Sequence, residues 1–329
     1  MAEQTPSAAP AAKLKVGMFW AASCGGCDIS LLEIGPRLLD LIAIADVVFW
    51  PCAADFKYRD VAGYPDGHID VCFYTGGIRN SEQEEVARLL RRKSKCLVAY
   101  GACSGEGGIP ALANLKTVKG IYQASYHENP SIDNAKGVEP QPLSPSPCGE
   151  LEIPRFYPQL LCLQDVVPVD YVLPGCPPQA DRVWEAIQAL AGGKAPLSNR
   201  AAKVGCTDKA VCDECKLEKK QVKIKEFKRI HQSVPEPNWC LLEQGFLCMG
   251  PATRSGCGAR CSLAGMPCEG CYGPAGQVTD QGMAMVSAIA SMLDAQTEER
   301  AQELIGQIAD PSGSFYRFSL AASHLKARK

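Results

Sequence analysis

The sequence predicts an open parallel α/β sheet, followed by a loop-rich segment held by cysteines and closed by helices. Three observations carry this prediction. Apolar, strand-like runs alternate with stretches of helical spacing over roughly the first 190 residues, as in sheets covered on both faces. That periodicity fades after about residue 194, where glycines and cysteines accumulate. Eighteen cysteines are present, and nine of them lie within residues 206–271.

The elements follow in order. Residues 14–20 (LKVGMFW) form a buried strand, residues 29–45 a helix, and residues 45–51 a second strand. Residues 69–78 (IDVCFYTGGI) form a third strand ending in Gly76 and Gly77. SEQEEVARLLRR at 81–92 is a helix with Ser81 as N-cap and Glu84 completing a capping box. Residues 95–103 run from strand into loop, and 169–178 form a further strand stopped by prolines. Residues 179–193 form a helix closed by glycine. Between 111 and 168 the pattern loosens around a proline-rich surface insertion. Helical spacing returns in QGMAMVSAIASML and EERAQELIGQIA. The expected domains are a disordered tail at 1–12, a sheet domain at 13–200 and a cysteine-rich domain at 201–329.

Composition narrows the function. A net charge of −2 does not suggest a surface for nucleic acid or anionic membrane. The longest apolar run, LLDLIAIADVVFW, is interrupted by Asp40 and Asp46 and is too short to span a bilayer. The N-terminus has neither a basic n-region nor an apolar h-region, so a cytoplasmic protein is expected. In that reducing compartment dense cysteine points to metal or redox chemistry rather than disulfides.

The cysteines sort by position. Cys24 and Cys27 follow the first strand, Cys103 follows the CLVAY strand, and Cys176 follows YVL. Ligands of open parallel sheets bind beyond the carboxyl ends of the strands, so these four meet there. Their surroundings, CGGC, GACSGEGG and PGCPP, let backbone amides approach sulfur closely. Cys212, Cys215, Cys240 and Cys248 make a second quartet, and Cys257, Cys261, Cys268 and Cys271 a third. Four thiolates suit a 4Fe–4S cluster or a zinc ion. Cys24 and Cys27 alone also fit a thioredoxin-like pair. Cys52, Cys72, Cys96, Cys148, Cys162 and Cys206 read as small apolar residues. Cys206 lies close enough to compete with Cys212. His68, His127, His231 and His324 neighbour no C-x-x-C, and TGGIRN lacks the phosphate-loop pattern.

In this order CGGC, GAC, PGCPP, CLLEQGFLCMGPAT and PCEGCYGP give the chain its resemblance to a known family. It resembles the small, electron-transferring subunit of nickel–iron hydrogenases. The type it looks most like is the cytoplasmic methyl-viologen-reducing one, associated with heterodisulfide reductase. The resemblance implies a flavodoxin-like domain followed by an iron–sulfur domain with three 4Fe–4S clusters. It assigns Cys24, Cys27, Cys103 and Cys176 to a proximal cluster, Cys257, Cys261, Cys268 and Cys271 to a medial one, and Cys212, Cys215, Cys240 and Cys248 to a distal one. Periplasmic relatives often place histidine at the first distal position, where Cys212 stands here. They also often hold a 3Fe–4S medial cluster, with proline where Cys261 stands. The implied partners are a nickel–iron large subunit and a downstream iron–sulfur or flavin protein, heterodisulfide-reductase-like or similar.

The catalytic subunit's R-x-C-G-x-C and D-P-C-x-x-C patterns are missing, with Met266 where aspartate is expected, so dihydrogen chemistry is expected on another chain. Respiratory complex I has a related small subunit, but with adjacent cysteines in place of CGGC. Two rival readings are a similar relay serving another oxidoreductase and a zinc-stabilised binding protein. Asp28, beside Cys27, is expected either to tune the proximal cluster, to assist protons, or to cap the following helix.

Overall fold

The computed structural model describes residues 13–192 and 201–326. The expected tail at 1–12, the closing Gly193 and the expected domain break at residue 200 lie outside the described residues. The chain runs through β1 (Leu14–Trp20), α1 (Gly26–Leu32), α2 (Arg37–Ile44), β2 (Ala45–Phe49), α3 (Tyr58–Gly63), β3 (Ile69–Thr75) and β4 (Ile78–Asn80). It continues through α4 (Ser81–Lys93), β5 (Ser94–Tyr100), α5 (Ala102–Glu106), α6 (Val118–Tyr122), β6 (Leu143–Ser146), β7 (Gly149–Glu152) and β8 (Phe156–Leu161). Next come β9 (Tyr171–Leu173), α7 (Ala180–Ala191), β10 (Ala202–Lys203), α8 (Val211–Glu214), α9 (Arg260–Leu263), α10 (Gln281–Met292), α11 (Glu298–Gly306) and α12 (Pro311–Phe315).

Six strands form one parallel sheet in the order β10-β9-β5-β3-β1-β2. Without the short edge strand β10 this is the flavodoxin-like order, with the first strand between the second and third. Strand alternation divides the apolar side chains between the faces. Phe19, Cys72, Tyr74, Leu97 and Ala99 join one core with Val86 and Leu90 of α4. Met18, Val71, Phe73, Val98 and Tyr100 join the other with Leu31 of α1 and Val183 and Ile187 of α7. A third core lies under the cysteine-rich segment. It gathers Leu242, Met249, Met285, Ile289 and Leu320 around Cys248 and Cys268, and draws in Ala111, Leu160 and Cys162 from the first half. Among the described residues no helix is long and apolar enough to cross a membrane.

Several expectations need correction. The helix expected at 29–45 begins at Gly26 and is broken between α1 and α2. Pro36 supplies no N–H and disfavours helix in the residue before it. The strand expected at 69–78 stops at Thr75; Ile78–Asn80 turns away to pair antiparallel with β8. The cap of α4 is Asn80, whose side chain accepts from Gln83 N–H at 2.9 Å. Ser81 Oγ instead accepts from Arg155 N–H, and Glu84 accepts from the Tyr157 hydroxyl and Arg88. Asp28 lies within α1, behind the cap residue Gly25, so it does not cap the helix. Cys72, Cys96 and Cys162 are buried, as expected of small apolar residues, whereas Cys52 and Cys148 are exposed and Cys206 is half-buried.

Candidate metal centres

Three loops at the carboxyl edge of the sheet carry the first quartet. Cys24 and Cys27 follow β1, Cys103 sits in α5 after β5, and Cys176 follows β9. Cys27 and Cys103 are buried; Cys24 and Cys176 are exposed. Burial pushes the Cys27 thiol well up, and charge on Cys103, Cys176 or Cys24 raises it further. Cys103 is pushed up to about 12, again chiefly by burial, with Cys176 and Cys24 adding to it. All four are therefore within electrostatic reach of one another. Two glycines make this possible. Gly101 has φ +88°, and a β-carbon there would lie 2.4 Å from Cys27 Sγ. Gly25 takes the left-handed φ of +81° beneath the Trp20 ring and turns the chain between the two cysteines. The next residue, Gly26, donates its N–H to Cys24 Sγ at 3.4 Å.

Behind this quartet Asp28 is buried, held by Trp50 Nε1 at 3.0 Å and Thr75 Oγ1 at 3.3 Å. Burial raises its carboxyl above the usual range, and the two donors oppose that shift. Its side chain ties β2 and β3 to the Cys24–Cys27 loop.

The other eight cysteines also gather as the sequence paired them. Cys212, Cys215, Cys240 and Cys248 line one small cavity with Leu217, Lys219 and Ser262, an outer quartet. Cys212 is pushed up to about 12, first by burial and then by Cys248, while Lys219 opposes the shift. Cys257, Cys261, Cys268 and Cys271 line a cavity of about 400 Å³ that Cys176 also borders, a middle quartet. Cys271 is likewise pushed up to about 12 by burial and by Cys257, Cys176 and Cys261. Cys206 stands elsewhere, beside Arg254 and Lys203.

Two contacts join the quartets in a row. Cys176 borders the cavity that the middle quartet lines and lies within electrostatic reach of Cys271, linking the sheet edge to the middle quartet. The Cys268 N–H donates to Cys248 Sγ at 3.3 Å, linking the middle to the outer quartet. Sheet edge, middle and outer thus follow one another without a gap.

Four thiolates in each quartet suit either a 4Fe–4S cluster or a zinc ion. A zinc tetrahedron with bonds of about 2.3 Å holds its sulfurs within roughly 4 Å of one another. Among the described residues, no three His, Cys, Asp or Glu side chains converge to hold one ion. Buried hydroxyls without a partner are also concentrated here. Ser23, Ser104 and Tyr272, each next in sequence to a quartet cysteine, are among the six buried polar atoms of this kind in the described residues. A buried hydroxyl without a partner is costly, so a sulfur-rich acceptor beside these cysteines fits them.

The layer of residues supporting the quartets is not legible in the motifs. Buried Glu243 accepts from Lys220 N–H, Gln221 N–H and Trp239 Nε1 at 2.8–2.9 Å, fixing the loops around Cys240. Buried Gln281 donates to Gly270 O and Thr253 Oγ1, both at 3.0 Å, locking the CEGC turn. Trp239, four residues before Glu243, is a partner close in sequence, while Lys220, Gln221 and the partners of Gln281 come from elsewhere in the chain.

Known proteins are similar to this chain in sequence and fold. A family model described as the NADH ubiquinone oxidoreductase 20 Kd subunit matches residues 24–190. That span contains all four sheet-edge cysteines and none of the other eight. The chain is similar to the iron–sulfur subunit of the F420-non-reducing hydrogenase of Archaeoglobus profundus, 35% identical over 96% of this chain and 98% of that relative. It is also similar to a vhu subunit of the F420-non-reducing hydrogenase of Methanocaldococcus jannaschii, 38% identical over 87% of this chain and 90% of that one. Among solved structures, a chain of the H2-activated [NiFeSe]-hydrogenase of Dm. baculatum matches with a TM-score of 0.51. It is 18% identical and covers 80% of this chain and 95% of that chain, a likeness of fold.

Proposed function

The chain belongs to the family of hydrogenase iron–sulfur subunits, whose catalytic site sits on another chain, and from that premise we propose a three-centre electron relay. In this reading a nickel–iron large subunit oxidises dihydrogen, and electrons leave through proximal, medial and distal 4Fe–4S clusters. The proximal set is Cys24, Cys27, Cys103 and Cys176; the medial is Cys257, Cys261, Cys268 and Cys271; the distal is Cys212, Cys215, Cys240 and Cys248. The continuous row of quartets carries the proposal. When bound, such clusters supply one-electron redox states in a low dielectric.

The chain's own residues do the positioning. The parallel sheet fixes the sheet-edge thiols, and the exposed Cys24 and Cys176 leave that face for a large subunit to cover. Backbone N–H groups donate to the sulfurs of Cys24 and Cys248, and at buried Cys248 this offsets the cost of burying thiolate charge. The downstream acceptor in this reading is an iron–sulfur or flavin protein in the cytoplasm.

The test is metal analysis of the anaerobically purified complex. About twelve irons per copy of this chain are expected, by four per cubane, together with nickel on the companion chain. A colourless preparation holding zinc in the quartets sinks the relay.

A further inference from the structure

Residues 216–229 read KLEKKQVKIKEFKR, with seven cations and two carboxylates. They carry +5 in a chain of net charge −2, which leaves −7 on the remainder. Many such runs are only solvated faces. Three observations set this one apart.

The backbone of the run is pinned rather than loose. Glu243 accepts from Lys220 and Gln221 N–H. Ile224 is fully buried and pairs with the end of α10, its N–H donating to Met292 O at 2.8 Å. Phe227 N–H donates to Gln307 Oε1 at 2.7 Å, and Lys228 N–H to Gly245 O at 2.8 Å.

Its cations are also largely uncompensated. Lys216, Lys219, Lys220, Lys223, Lys225 and Arg229 are exposed, and among the described residues none has a carboxylate within ion-pair distance; only Lys228 does, with Glu226. Held side by side, like charges repel and cost stability, which an oppositely charged partner relieves.

The run also frames the outer quartet. It starts next to Cys215, and Cys240 N–H donates to Glu218 O at 2.8 Å. Lys219 Nζ reaches Cys212 O at 3.1 Å. Exposed Val222 and Ile230 add apolar area among the cations, the mixture found where proteins meet.

We propose that this basic strap is the docking surface for an acidic electron-carrier protein, seated over the outer quartet. The inference rests on the relay reading and adds the charge and place of the downstream partner. Opposite charge steers the encounter and raises its rate at low salt.

The test uses the intact hydrogenase complex carrying Lys223→Glu, Lys225→Glu and Arg229→Glu together, none of them in or beside a quartet. Dihydrogen-dependent reduction is measured with two acceptors: a small acidic ferredoxin and methyl viologen, a dication. For ferredoxin, kcat/KM should fall at least about tenfold at low ionic strength, the scale of electrostatic steering. The gap to the wild type should close as salt screens the charges. Viologen reduction should hold or rise. The Lys→Gln and Arg→Gln versions should fall between.

Ferredoxin kinetics within twofold of wild type at low salt overturn the docking surface, and so does a parallel loss with both acceptors. Iron measured in the same preparations separates the two readings. Clusters intact with ferredoxin indifferent to the charges sink only the strap, whereas iron-free complex sinks the relay and the strap with it.

Discussion

The sheet and the cysteine-rich segment use the same residue in opposite ways. In the sheet, Cys72 and Cys96 are ordinary core, packed among Tyr74, Leu97 and Val98, while the quartet cysteines sit on loops at its edge. The sheet is complete without them. In the second half, Cys248 and Cys268 lie inside the core, and Cys215, Cys240 and Cys257 pack against it. Between residues 204 and 280 the regular structure amounts to the four-residue helices α8 and α9 and one short turn. There the thiols replace the strands as what the loops are built around. Sheet cysteines decorate a fold, and segment cysteines constitute one.

The largest expected effect follows from that difference. Anaerobic removal of iron should abolish amide-exchange protection across residues 206–271, by at least about a thousandfold, since metal binding is folding energy for such a segment. Protection in β1, β3 and β5 should remain. Equal loss in both halves would erase the distinction.

Next come paired substitutions. Cys103→Ser should cost about four irons, one cubane's worth, and hydrogen-dependent dye reduction with them. Cys72→Ser should leave iron near normal while lowering stability by roughly 1–3 kcal/mol, the cost of a buried hydroxyl. Iron analysis and urea melts decide, and equal iron loss would refute the sorting of ligand from core.

A smaller effect separates two left-handed glycines. Gly101→Ala drives its methyl into Cys27 Sγ and should displace the sheet-edge cluster, read as a lost spectroscopic centre. Gly258→Ala meets nothing within 4 Å, so its cost should stay at the roughly 1 kcal/mol of the backbone conformation alone.

The smallest is a pH effect. Burial raises Cys72 and Cys96 from 9.0 to about 12 in the folded chain. Above pH 9 the unfolded state holds fewer protons than the native state, so stability should fall as pH rises from 9 toward 12 and be unaffected by these thiols below 9. At pH 10 the loss should be about 1 kcal/mol per thiol. Denaturation midpoints at pH 8 and 10 measure it, and Cys72→Ala should reduce the difference between them by about 1 kcal/mol.

Much of this was legible in order along the chain. Apolar runs marked the parallel strands, and cysteines after three of them implied one sheet-edge site. What stayed hidden was non-local or one residue off. Pro36 was visible but outweighed by helical spacing on both sides of it. Asn80, one place before Ser81, won the cap because Ser81 turned to Arg155. Asp28 reads as an N-cap until Trp50 and Thr75 close over it. Glu243 and Gln281 bond loops that fold back from other parts of the chain, a relation no spacing records. The row of quartets depends on the Cys176–Cys271 contact, between residues 95 positions apart.

That contact has a consequence for how the molecule tolerates change. It is made where the Pro174–Pro178 turn carries Cys176 to the wall of the middle quartet's cavity. Replacing the side chain at 176 would remove a thiol yet leave the turn at that wall. Lengthening or shortening the turn would do the reverse, keeping the thiol and losing the contact. Continuity between the first and second sites is thus stored in the length of a loop rather than in the spelling of its residues.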